Sequence, residues 1–304
     1  MIVATFYKFV ELDQLEELQT KLKMFCENHG VMGTILLAEE GINSTIAGEK
    51  ESIEQFFHLL KEDERLADIQ PKLTETDEMP FVRLKVKIKP EIVTMGVEEI
   101  EPAITTGKHI DPKTWNQIIS DPEVLVIDTR NEYEYKVGTF HNAISPQTNS
   151  FRQFPEFVEE NLDPKKHKKI AMFCTGGIRC EKASAYLVKQ GFEEVYQLNG
   201  GILNYLETVS SEESLWEGEC FVFDQRVAVT EDLETGNYEL CYACSQPLSP
   251  EDRQSEKYEP GISCPYCYDQ LTEKQRDRCK ERRRQQELAK QRNQKHVGAK
   301  LQQH

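Results

Sequence analysis

Cys174-Thr175-Gly176-Gly177-Ile178-Arg179 joins two contrasting stretches of chain. Before it, Lys169 to Phe173 is an apolar run that reads as a buried strand; after it, Cys180 to Leu187 reads as a helix. A cysteine at such a junction meets the unpaired N–H groups and positive dipole end of the helix. Those surroundings hold sulfur as the thiolate and an anionic adduct beside it. Two glycines let the loop curl, and Arg179 adds a fixed positive charge. We therefore expect a nucleophilic Cys174, with Arg179 in the catalytic set and Thr175, Gly176, Gly177 and Ile178 as the active-site loop. Cys180, in the first turn of the same helix, has two readings. It is a resolving thiol for a persulfide or sulfenate on Cys174, or a packed core residue.

A second group of sulfurs follows. Cys241-x2-Cys244 and Cys264-x2-Cys267, nineteen residues apart, match the spacing of a four-cysteine zinc knuckle. Four thiolates leave no open position, so the expected role is structural, and the same donors also suit iron. Nine cysteines, an odd count gathered mostly in chemical clusters, point to a reducing cytoplasm rather than to disulfides. Beyond the knuckle, Arg282-Arg283-Arg284 lies in a basic run that is read either as a contact to RNA phosphates or as a solvated helix face.

The elements that must position these groups fall into an α/β chain of 304 residues with several units. Residues 1–95 give the order βαββαβ: strands at Val3–Phe9, Gly33–Ala38, Ser44–Ala47 and Phe81–Ile88, helices at Leu12–His29 and Lys50–Lys61. That order predicts a ferredoxin-like α+β domain. A Pro-punctuated connector leads to residues 107–207. Here Asp111-Pro112 opens a helix, which explains His109 and Asp111 without a metal. Strands and helices then alternate, as in a parallel sheet with ligands at strand C-termini, where both Asp128 and Cys174 sit. Residues 215–272 form the cysteine-rich region, and 273–304 a basic tail, helical or disordered. The net charge of −16 is uneven. Lys274–His304 carries eleven Lys/Arg against three Asp/Glu, a net of +8, which leaves −24 on the preceding residues. No run is long and apolar enough for a membrane span, and the N-terminus lacks a signal-peptide pattern.

The middle unit resembles the rhodanese domain family. The resemblance rests on Asp128-Thr129-Arg130-Asn131-Glu132-Tyr133-Glu134, Gly138-Thr139-Phe140-His141-Asn142-Ala143, the Cys174 loop and Gly200-Gly201-Ile202. It implies that Cys174 forms the persulfide, that the loop backbone and Arg179 bind an anion, and that Asp128 and Arg130 brace the loop. Related phosphatases and arsenate reductases have one more residue between Cys and Arg. The four residues here match the shorter sulfurtransferase loop.

Over about residues 1–270 the chain resembles a narrower family, the bacterial tRNA uridine hydroxylases, in which a rhodanese domain follows an acylphosphatase-like one. Gly33-Thr34-Ile35-Leu36-Leu37-Ala38-Glu39-Glu40-Gly41-Ile42-Asn43-Ser44-Thr45, Cys174 to Lys182, and Cys220 to Val229 carry it. It implies oxygen-dependent 5-hydroxylation of the wobble uridine, position 34 of tRNA, in the cytoplasm. Its partner would be tRNA and its co-substrate molecular oxygen, with an electron donor that the sequence leaves unidentified. The residues themselves show neither a flavin fingerprint nor an iron triad. A reactive cysteine points instead to sulfur transfer, or to attack at C6 of a uracil ring that activates C5. The alternatives are a persulfide sulfurtransferase acting on tRNA or a protein acceptor, and a non-catalytic tRNA-binding protein. The intact Cys174 and Arg179 argue against the last.

Overall fold

The computed structural model describes residues 1–292. The chain divides into two compact units, one of Met1–Phe221 with Thr230–Glu234, the other of Val222–Val229 and the residues from Thr235 on. Among the described residues, no helix is long and apolar enough to cross a membrane.

The first unit opens with β1 (Ile2–Phe9), α1 (Leu15–Asn28), β2 (Met32–Ala38), β3 (Gly41–Gly48), α2 (Lys50–Lys61), β4 (Lys72–Glu75) and β5 (Leu84–Ile88). Their sheet runs β4-β1-β3-β2-β5. The split βαβ is present, but its fourth strand is β4, antiparallel to β1. The segment expected in that place is a fifth strand, β5, parallel to β2 at the opposite edge. Lys72-Leu73-Thr74-Glu75 is short, charged at both ends and alternately half-buried and exposed, so it carries little apolar signal. Helix α1 also starts later than expected. Val10 and Leu12 give their N–H groups to Glu40 and Glu39 carbonyls at the β2–β3 turn, and Gln14 takes a left-handed conformation. Phe6, Leu22, Ile35, Ile46 and Phe56 fill the core between sheet and helices.

The chain continues through β6 (Lys108–Ile110), α3 (Pro112–Ile119), β7 (Val124–Asp128), α4 (Glu132–Tyr135), β8 (Gly138–Phe140) and α5 (Phe154–Asn161). It then forms β9 (Lys169–Phe173), α6 (Ile178–Lys189), β10 (Glu194–Leu198), α7 (Gly201–Thr208), β11 (Trp216–Gly218) and β12 (Cys220–Phe221). Four strands form a parallel sheet in the order β6-β10-β9-β7. Asp111 caps α3 by accepting from the Lys113 N–H. Register places Asp128 opposite Phe173, so the segment after β7 lies beside Cys174. Met95 and Ile100 of the connector are buried in the core of this layer. The N-terminal and central segments thus share one unit. The cysteine-rich region begins later than residue 215: β11 pairs with β8, and Trp216 packs edge-on against Phe140.

In the second unit β13 (Ala228–Val229) is followed by a short hairpin, β14 (Glu239–Leu240) and β15 (Pro247–Leu248), and by α8 (Glu273–Gln291). The basic tail is therefore helical through Gln291. Its expected disordered end falls on 293–304, outside the described residues.

Candidate active site and cysteine cluster

Cys174 follows β9 directly and is fully buried. Its Sγ accepts the Gly177 N–H at 3.1 Å. Burial alone would push this thiol up. A hydrogen bond from Cys180, the charge of Arg179 and the N–H groups of Cys180 and Arg179 outweigh it and lower Cys174 to about 6. Cys180 moves the opposite way, pushed up by burial and by its bond to Cys174, so it stays a protonated donor. Its sulfur also contacts Thr129 Oγ1 at 3.5 Å. Both expected thiols are therefore side by side, in the arrangement that either reading of Cys180 requires.

The loop shape follows from close packing. Gly177 has φ +99°, and a Cβ there would lie 2.8 Å from the Tyr7 hydroxyl. Gly201 has φ +67°, and its Cβ would come within 2.5 Å of the Cys174 carbonyl oxygen. Only glycine fits either place without displacement. The start of α7 holds the loop from below, with Ile202 and Leu203 N–H groups donating to Cys174 and Thr175 carbonyls at 2.9 and 3.1 Å. Thr175 is buried and reaches the Phe221 carbonyl, whereas Gly176 and Ile178 are half-buried.

Two buried ion pairs stand behind the loop. Arg179 forks onto Glu134 at 2.7 and 2.8 Å. Burial opposes the Glu134 charge, yet Arg179 holds the carboxyl below its usual range. The guanidinium thus acts near Cys174 as a charge fixed by Glu134, rather than as a fork open to an anion. Arg130 grips Asp128 through Nε and Nη2, with both side chains fully buried, and its guanidinium lies over the Trp216 ring at 5.2 Å. Between them Thr129 bonds the Phe173 carbonyl through N–H and hydroxyl, both at 3.0 Å. Asp128 and Arg130 thus sit in the wall against the strand that delivers Cys174.

The sequence pattern assigns no role to Glu134, Glu181 or Lys182, although all three stand inside the quoted motifs. Lys182 is buried and bonds Glu40 at 2.7 Å and Glu91 at 2.6 Å, tying α6 to the β2–β3 turn and the connector. Glu181 receives Tyr7, Thr106, His109 and Gln197. Tyr7 had no signal at all, because one aromatic in a half-buried strand position looks like any other.

In the second unit the sulfurs of Cys241, Cys244, Cys264 and Cys267 all lie within 4.8 Å of one another. Four cysteines converging from two turns, three of them buried, could hold a metal ion, and the donor set fits zinc. Helix α8 lies along these turns. Arg276 donates to the Tyr268 carbonyl and stacks on its ring, Arg282 donates to the Tyr242 carbonyl, and Arg283 to that of Pro260. Arg284 pairs with Glu281. The three consecutive arginines, read either as RNA contacts or as a solvated helix face, each have a partner within the unit.

The family model of the UPF0176 acylphosphatase like domain matches residues 1–92, and that of the rhodanese-like domain matches 111–208. Solved structures similar to the chain include a rhodanese-like domain from Anabaena, 18% identical over 37% of this chain and 80% of that one, TM-score 0.30. A rhodanese-related protein from Thermoplasma volcanium is 24% identical over 33% of this chain and 91% of that one, TM-score 0.27. A thiosulfate sulfurtransferase from Pseudomonas aeruginosa is 17% identical over 39% of this chain and 21% of that one, TM-score 0.31.

Proposed function

We propose a function from the premise that this chain has the acylphosphatase-like plus rhodanese architecture of the tRNA uridine 5-hydroxylase family: it hydroxylates C5 of the wobble uridine of tRNA. The observation that supports this reading most is the Cys174 thiolate, stabilised in a closed N–H cradle at the end of a parallel strand. A uracil ring is electrophilic at C6. Addition of the thiolate there turns C5 into an enolate carbon, which is the position to be oxidised. One atom of O2 goes to C5 and the other to water, with two electrons from a donor outside the chain. Arg179, fixed by Glu134, keeps the sulfur anionic until the base arrives. The cysteine cluster serves structure, since four sulfur donors fill a tetrahedral ion.

Persulfide transfer is the second reading, favoured by the four residues between Cys174 and Arg179. Mass spectrometry of tRNA nucleosides from a strain lacking this chain separates the two. Disappearance of 5-hydroxyuridine and its derivatives is the expected result. Loss of a thiolated base would replace hydroxylation by sulfur transfer, and an unchanged nucleoside set would remove both.

A further inference from the structure

A chain of hydrogen bonds runs from the surface of the first unit to the cysteine loop, and thiolate attack by itself makes no use of it. His109, on β6, leaves 43% of its side chain exposed. Its Nε2 lies 2.9 Å from Glu181 Oε1. The same oxygen accepts the Tyr7 hydroxyl at 3.0 Å, and that hydroxyl lies 2.8 Å from where a Gly177 Cβ would be. Gly177 in turn gives its N–H to Cys174. The second carboxylate oxygen, Oε2, takes Thr106 Oγ1 at 2.9 Å and Gln197 Nε2 at 3.0 Å, which fixes the carboxylate plane. The Glu181 carboxyl therefore has an exposed imidazole on one side and a tyrosine at the loop on the other.

We propose that His109, Glu181 and Tyr7 form a proton relay that serves the Cys174 loop, with Tyr7 supplied by the N-terminal sheet. The inference rests on the uridine reading, because thiolate addition to C6 places negative charge on O4 of the ring, and a proton delivered to that oxygen gives a neutral enol whose C5 stays open to oxygen. Other groups at the loop are committed. The Arg179 fork is held by Glu134, and Cys180 donates to Cys174 itself. The Tyr7 hydroxyl proton passes to O4 of the enolate, the phenolate regains a proton through Glu181, and the His109 imidazolium that supplied it is recharged by solvent. The groups facing these three are Thr106, Gln197, Cys174 and Cys180. Burial, Glu181 and Cys174 keep Tyr7 a neutral phenol, while the bond to Glu181 raises His109 and favours its imidazolium. Tyr7 and His109 act here as positioning and proton-supplying residues, and Glu181 as the link between them.

The test uses full-length protein and tRNA. Deuterium entry at C5 of uridine in deuterated water is followed alongside 5-hydroxyuridine formation in air, with an extract of a strain lacking the chain as the source of electrons. Exchange needs the thiolate and the proton but no oxidant. Tyr7→Phe and His109→Ala should each slow both reactions by roughly a hundredfold or more. The pH profile of Cys174 alkylation by iodoacetamide should stay as in the wild type. Added imidazole should restore His109→Ala, whose site opens to solvent, but not Tyr7→Phe. Unchanged rates, a loss in His109→Ala that imidazole does not restore, or a loss accompanied by an altered alkylation profile would overturn the relay. Exchange without hydroxylation in the wild type would sink the functional reading while still reporting on the relay; neither reaction in the wild type would overturn both.

Discussion

Cys174→Ser replaces sulfur by oxygen inside a cradle that needs no other change, so the variant should fold normally and lose activity altogether. Near-native turnover would contradict the nucleophile. The depressed thiol has its own signature. Alkylation by iodoacetamide should rise as pH climbs through about 6 and level off above it, because the thiolate then dominates. An inflection near that of a free cysteine would show that the cradle is not formed. Arg179→Lys keeps a charge but loses the bidentate fit to Glu134, and activity should fall by roughly tenfold or more. Glu134→Gln strands a buried guanidinium, and chemical denaturation should report a loss of about 3–5 kcal/mol. Cys174 and its loop were legible in the sequence because strand, glycines, arginine and helix are contiguous. Glu134 and Tyr7 were not, since each is brought to the loop from elsewhere in the chain and has meaning only through a partner.

Helix α6 does two jobs with successive residues of its first turn. Arg179 and Cys180 face the sulfur, while Glu181 and Lys182 hold the N-terminal sheet and connector. Lys182→Met would leave Glu40 and Glu91 without their buried counter-charge. Thermal unfolding of that variant should begin several degrees lower, and Cys174 should become more reactive to small thiol reagents as the cover loosens. An unchanged melting temperature and unchanged reactivity would mean that the lysine does not join these segments. Element types were readable wherever apolar periodicity was strong, as in β1, β9 and α2. The edge strand β4 escaped because half of its residues face solvent. Beyond the expected boundary at 215, Trp216 packs on Phe140 and Phe221 on Tyr133, tertiary contacts that no local pattern carries. In the second unit, two CxxC turns announced the cluster by spacing. Purified protein should carry about one zinc per chain, and its removal by chelators should unfold this unit without abolishing Cys174 alkylation. Metal-free protein with the unit still folded would contradict a structural ion.

Charge distribution decides where a polyanion can approach a chain with a net −16. Arg276, Arg282 and Arg283 already hold the cysteine turns, so the exposed Lys274, Arg278 and Lys280 of α8 are among the cations left to meet phosphates. Changing all three to glutamine should weaken tRNA binding and flatten the log–log salt dependence, by about 0.7 to 0.9 for each phosphate no longer neutralised. Equal affinity and slope would move the RNA elsewhere. Composition and spacing revealed this basic cluster but not which of its charges were already engaged, because that depends on the turns α8 lies against. Whether the Cys174 loop brings oxygen to C5 of a tRNA uridine is decided by the origin of that oxygen atom. Heavy-isotope oxygen gas is supplied to unmodified tRNA, purified protein and an extract of a strain lacking the chain as the source of electrons. One heavy oxygen atom should appear in 5-hydroxyuridine with the wild type and none with Cys174→Ser. Unlabelled product, or equal labelling with the serine variant, would contradict the hydroxylase reading.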